Sequence, residues 1–151
     1  MVIRDAYLFQ GMSTETQEKV AAAAREESYP QGAFLFRTGD PADYLYILQE
    51  GRVRLSMGNR GHIALVVSEP GDAIGWSSMV ENEGYTASAE CLLPVRVLKI
   101  EKRALIQILE RDPAGGVIFF RRLAGLIGRR LTNSYKATVS LHGEKDPRSY
   151  G

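Results

Sequence analysis

The residues best placed to do chemistry lie between Glu69 and Cys91, in EPGDAIGWSSMVENEGYTASAEC. This stretch holds a glycine inside an apolar element, Gly75, a short run of small hydroxyl residues, Ser77 and Ser78, a polar loop and a return strand. A glycine before small hydroxyl residues lets backbone amides come close to a ligand. The hydroxyls of Ser77 and Ser78 add donors and acceptors. That is the chemistry of holding a small polar molecule or anion. A serine nucleophile needs a base beside it, and no His or Lys is spaced to serve Ser77 or Ser78. A metal needs a cluster of ligands, and the only histidines are His62 and His142. No catalytic residue, metal ligand or cofactor is expected, and the chain does not read as an enzyme. Cys91, the only cysteine, excludes an internal disulfide and reads as a buried thiol.

The elements that must position these segments come from 151 residues, 44% of them apolar. That is enough for one domain with a true core. Net charge is +1 and favours neither nucleic acid nor membrane. Its distribution is uneven: 9 basic and 13 acidic residues up to position 100, then 10 basic and 5 acidic. The start, MVIRDAYLFQGM, lacks the apolar run of a signal peptide. No stretch is long enough to span a bilayer. A cytoplasmic protein is expected.

Ser13 to Glu27 has a helical pattern with a serine or threonine cap. Tyr7, Leu8 and Phe9 before it form an apolar hook. Strands are predicted at 33–37, 44–49, 52–57 and 62–67, with a GNRG hairpin turn at 58–61. Two more are predicted at 85–91 and 95–100. Val53, Leu55 and Met57 alternate with Arg52, Arg54 and Ser56. About seven short strands with glycine turns indicate a sandwich or rolled sheet. The period then changes. Glu101 to Glu110 is helical, and Asp112-Pro113 opens a longer helix running to about Tyr135. Val117, Phe120, Ala124, Ile127 and Leu131 follow a 3.6 period, and Phe119, Leu123 and Leu126 widen the stripe. One sheet does not need so wide a face, so a second chain is expected to pack on it. Residues 136–151 read as a polar, flexible tail after a domain spanning 1–135.

FLFRTGDPADYLYILQEGRVRLSM, EPGDAIGWSSM and YTASAE, followed by the helical end, resemble the cyclic nucleotide-binding domain of catabolite-activator-type regulators. The glycines at 39, 51, 71 and 75 fall where that family turns its sheet. The resemblance implies a mainly β fold: an eight-stranded jelly roll, a double-stranded β-helix, with an N-terminal helix and two C-terminal helices. It also implies a phosphate-binding loop opened by a Gly-Glu pair and closed by an arginine before small residues. Gly75 takes the glycine position, and Ser77 and Ser78 follow where amides line the pocket. Trp76 stands at the glutamate position and Tyr85 at the arginine position, with Thr86 and Ala87 after it.

Two readings follow. In one, the loop holds a cyclic nucleotide or another small anion weakly through amides and hydroxyls, with Arg52, Arg54 or Arg96 swinging in. In the other, Trp76 and Tyr85 fill the vacated pocket and the domain is a structural or protein-interaction module. Either way a regulatory role is expected, through a homodimer or a partner protein on the Pro113–Leu131 helix. The pairs Arg121-Arg122 and Arg129-Arg130 share one helix face, either solvated or meeting an acidic partner or nucleic acid. Too few residues follow the long helix for a helix-turn-helix domain, so no direct sequence-specific DNA binding and no membrane association are expected.

Overall fold

A computed structural model describes residues 3–57, 63–81 and 83–142. The predicted GNRG turn and His62 lie outside them, as do residues 143–151. The described chain forms eight strands in two antiparallel sheets. The strands are β1 (Arg25–Tyr29), β2 (Phe34–Phe36), β3 (Tyr44–Glu50), β4 (Val53–Met57), β5 (Ile63–Val67), β6 (Ala73–Ile74), β7 (Ser88–Cys91) and β8 (Val95–Glu101). One sheet runs β1-β8-β3-β6 and the other β2-β7-β4-β5. Helix α1 (Thr14–Ala23) precedes the roll, and α2 (Lys102–Glu110) and α3 (Pro113–His142) follow it. The jelly-roll expectation with one leading and two trailing helices therefore holds.

Side-chain alternation in β3 and β8 divides the interior in two. Tyr46, Leu48, Val95 and Val97 point between the sheets and meet Phe36, Val53 and Cys91. Leu45, Ile47 and Ile100 point the other way, toward Leu8, Phe9, Val20, Leu105 and Phe119. The sheet containing β3 and β8 is thus covered on both faces. Burial raises the Cys91 thiol above its ordinary range, so the residue is inert packing.

Three boundaries differ from the sequence pattern. The first helix stops at Ala23, not Glu27. Residues 25–29 pair with β8 instead, and their acids meet cations there: Glu27 lies 3.5 Å from Lys99 and Glu26 lies 3.5 Å from Arg96. Tertiary pairing overrides the helix propensity of Arg and Glu here. Of the predicted strand at 85–91 only Ser88–Cys91 is paired as a strand, so residues 85–87 form a loop segment. The last helix continues past Tyr135 to His142.

Helix α3 has two apolar faces. Phe119, Leu123 and Leu126 are buried in the core, with Phe119 5.5 Å from Phe9. Val117, Phe120 and Leu131 are 60%, 43% and 48% exposed. Three of its arginines turn to the body rather than standing on a free face. The Arg122 and Arg129 guanidinium groups lie 5.5 and 5.0 Å from the Tyr7 ring centre. Arg130 Nη2 donates to the Ala73 carbonyl at 2.6 Å. The start of α3 is set by Asp112, which accepts from the Gly115 N–H at 3.0 Å and from the Thr16 hydroxyl at 2.6 Å. These bonds hold the Asp112 carboxyl below its usual range.

The two faces of α3 separate cleanly in a stability measurement. Phe119→Ala is expected to cost about 3–5 kcal/mol. Phe120→Ala should cost about 1 kcal/mol or less. Urea denaturation of both variants checks this, and equal losses would mean that the inner and outer faces are misassigned.

Candidate ligand site

Strand β6 delivers the chain to Gly75, which caps a 3-10 turn, Trp76–Met79. Gly75 has φ 85° and ψ 37°, a left-handed conformation that favours glycine. Its surroundings also exclude a side chain. A Cβ there would lie 3.1 Å from Tyr85 Cε1, 3.2 Å from the Tyr44 carbonyl oxygen and 3.3 Å from Phe36 Cε2. Ser78 closes the turn: its N–H and its hydroxyl both donate to the Gly75 carbonyl, at 3.1 and 2.8 Å. Ser77 Oγ lies 3.4 Å from Thr86 Oγ1, which joins the two predicted segments. Ser77 and Ser78 are buried, Trp76 and Ala87 half-buried, and Thr86 exposed.

Tyr85 faces inward. Its ring stacks on Phe36 with centroids 3.7 Å apart and planes 11° from parallel. Its hydroxyl donates to the Tyr44 carbonyl at 2.6 Å and accepts from the Tyr44 N–H at 3.2 Å. Burial pushes its pKa up to about 12, so the phenol is neutral at physiological pH. The hydroxyl is thus committed to Tyr44, not to the loop's ligand side. Two of the arginines expected to swing in are held elsewhere: Arg54 pairs with Glu90, and Arg96 with Glu26 and Glu50.

The space left beside Gly75, Ser77, Tyr85 and Thr86 is about 20 Å³, room for roughly one water. A much larger groove of about 510 Å³ opens next to it. Leu55, Met57 and Leu65 form one wall of this groove, with Trp76, Thr86 and Ala87 at its inner end. Ile127, Arg130, Leu131 and Tyr135 of α3 form the other. Among the predicted site residues, Trp76, Thr86 and Ala87 line both spaces. The α3 residues and the β4 residues are additions. Two sequence signals pointed to them: the alternation of Leu55 and Met57, and the spacing of Ile127, Leu131 and Tyr135 at successive helical turns. Arg130, in the same wall, has its pKa lowered to about 10 by burial, which the nearby Asp72 opposes. Asp72 is in turn raised, because its own burial outweighs the attraction of Arg130.

Comparison with known proteins agrees with this architecture. The family model described as cyclic nucleotide-binding domain matches residues 26–112. The Cyclic AMP receptor protein of Thermus thermophilus is 28% identical over 126 residues, covering 82% of this chain and 56% of that protein. The chain thus spans little more than half of that relative's length. A cyclic nucleotide-binding domain from Methylobacillus flagellatus superposes with a TM-score of 0.76 at 25% identity, covering 97% of this chain and 83% of that one. The N-terminal domain of a transcriptional regulator from Streptomyces coelicolor gives 0.69 at 29% identity, covering 85% and 94%.

The role of the Tyr85 hydroxyl can be read from a single oxygen. Tyr85→Phe leaves the ring stacked but strips Tyr44 of both bonds, at an expected cost of about 1–3 kcal/mol. Because folding raises this pKa, the contribution is complete below the ordinary tyrosine value near 10 and is lost as pH climbs through about 12. The stability gap between wild type and variant should therefore be flat around neutrality and narrow over that interval. Chemical denaturation across pH measures it; a gap that is absent at neutral pH would show that the hydroxyl contributes nothing.

Proposed function

The chain belongs to the cyclic nucleotide-binding domain family, and we propose that it is a regulatory module sensing a small ligand in the groove between the roll and α3. The observation that carries this reading is where the groove lies. Its two walls belong to the roll and to the long helix, so a bound molecule touches the element that would report it. Such a ligand shifts α3 only by as much as it prefers one packing over another. Arg130, bonded to the strand that leads into Gly75, ties the helix to the loop and would carry that preference.

The Thermus relative is named for cyclic AMP. In this chain Trp76 and Tyr85 occupy the positions from which a carboxylate would take the ribose and a guanidinium the phosphate. Each lost charge-assisted contact is worth about 1.5–3 kcal/mol. Calorimetric titration with cyclic AMP and cyclic GMP is therefore expected to give dissociation constants no tighter than about millimolar. Micromolar binding of either would mean that the loop reads phosphate through its amides and hydroxyls alone. A second reading, an interaction module without a ligand, is favoured by the small space left at the loop. It predicts that no small molecule raises the melting temperature, since any ligand specific to the native state must do so.

The output side of the module is the outer stripe of α3. Val117 and Phe120 are exposed along it. A Cβ at Gly128 in the same stripe would meet nothing within 4 Å. We infer a homodimer seam, in which apolar side chains bury against their copies and glycine lets backbones approach. Sedimentation equilibrium at tens of micromolar should give twice the chain mass for wild type and a single chain mass for Phe120→Glu. A monomeric wild type would sink the seam.

A further inference from the structure

We propose that the groove between the roll and α3 takes a neutral, planar, largely apolar molecule rather than a phosphodiester. This rests on the sensor reading above and gives it a ligand class.

Three observations carry it. First, the walls are mostly carbon: Leu55, Met57 and Leu65 face Ile127 and Leu131, with the aromatic Trp76 at the inner end. Pockets of about 300–1,000 Å³ lined this way suit ring-based ligands held by dispersion and a few polar anchors. The groove, at about 510 Å³, is in that range, and the Thr86 hydroxyl is a suitable anchor. Second, the polar end is nearly full. Only about 20 Å³ remains beside the loop, because the Tyr85 ring is packed against Gly75 and its hydroxyl is bonded to Tyr44. Third, among the described residues of the lining Arg130 is the one charged side chain. Its guanidinium is largely buried, donates to the Ala73 carbonyl and lies in the field of Asp72. An anion entering the groove would lose its water for one cation that already faces a carboxylate, a cost a neutral molecule does not meet.

The test uses a matched pair of fluorescent probes on the full chain: N-phenyl-1-naphthylamine and its sulfonated analogue 8-anilinonaphthalene-1-sulfonate, with cyclic AMP as competitor. Trp76 is the only tryptophan and lines the groove, so energy transfer from it reports where a probe sits. The neutral probe should bind one per chain, quench Trp76 and raise the melting temperature. It should bind at least about tenfold more tightly than the sulfonate and resist displacement by cyclic AMP. Met57 is 46% exposed at the rim, so Met57→Glu should fold normally and weaken the probe at least about tenfold. Leu93→Glu, on the exposed turn before β8, should leave it unchanged. Equal affinity for the sulfonate would overturn the neutral class, and tighter binding of cyclic AMP with probe release would do the same while leaving the sensor reading standing. If neither probe nor cyclic AMP shifts the melting temperature, both fall. A signal lost in Leu93→Glu and kept in Met57→Glu would place the probe outside the groove and overturn the assignment.

Discussion

The Tyr85 ring, pressed between Phe36 and Gly75, governs how the loop is built. Its hydroxyl takes up both backbone groups of Tyr44, so the loop before β7 is pinned to the start of β3. Its edge leaves no room for a side chain at position 75. The left-handed turn that starts Trp76–Met79 is therefore both permitted by glycine and enforced by a neighbour. A phenol suits this place because it is neutral when buried. A guanidinium pointing inward there would need a countercharge that the core between the sheets does not hold. The aromatic at this position is thus part of the core between the sheets.

Displacing the polar end of the site moves attention to the space beneath α3. There the chain keeps a groove whose chemistry is apolar on both walls. The same helix presents its buried stripe to the core, its flank to the groove and its outer stripe to solvent. Its N-terminal half is anchored in the core by Phe119, Leu123 and Leu126. Guanidinium groups beside Tyr7 and a charged hydrogen bond to Ala73 add further ties, of a kind worth about 0.5–3 kcal/mol each.

Most of the roll was legible in the residues. Strands β3, β4 and β8 show the alternation and β-branched content that pairing rewards, and the glycines at 39, 51, 71 and 75 all have positive φ in the structure. The Asp112-Pro113 start of the last helix was equally plain, since the cap chemistry is local. Strand β1 was hidden. Arg25-Glu26-Glu27 reads as the end of a helix, and only its backbone pairing with β8 makes it a strand. Strand β6, two residues long, has no pattern to detect and exists through its pairing with Tyr46 and Ile47.

For the site, the family resemblance implied which segments converge and put Trp76 and Tyr85 where that family's two charged readers would stand. That neither side chain carries a charge is plain from residue type, because a side chain's charge and donors belong to it wherever it is placed. The residue types also gave α3 an apolar surface too wide for one core. Which way Tyr85 points was decided only by the fold, since a phenol serves a pocket or a core equally well and the choice depends on Phe36, Tyr44 and Gly75 meeting from three distant stretches. The division of α3 into a buried face and an outer face was settled in the same manner: period 3.6 marks positions on a cylinder, but only packing against Phe9 and the roll determines which side of it is inside.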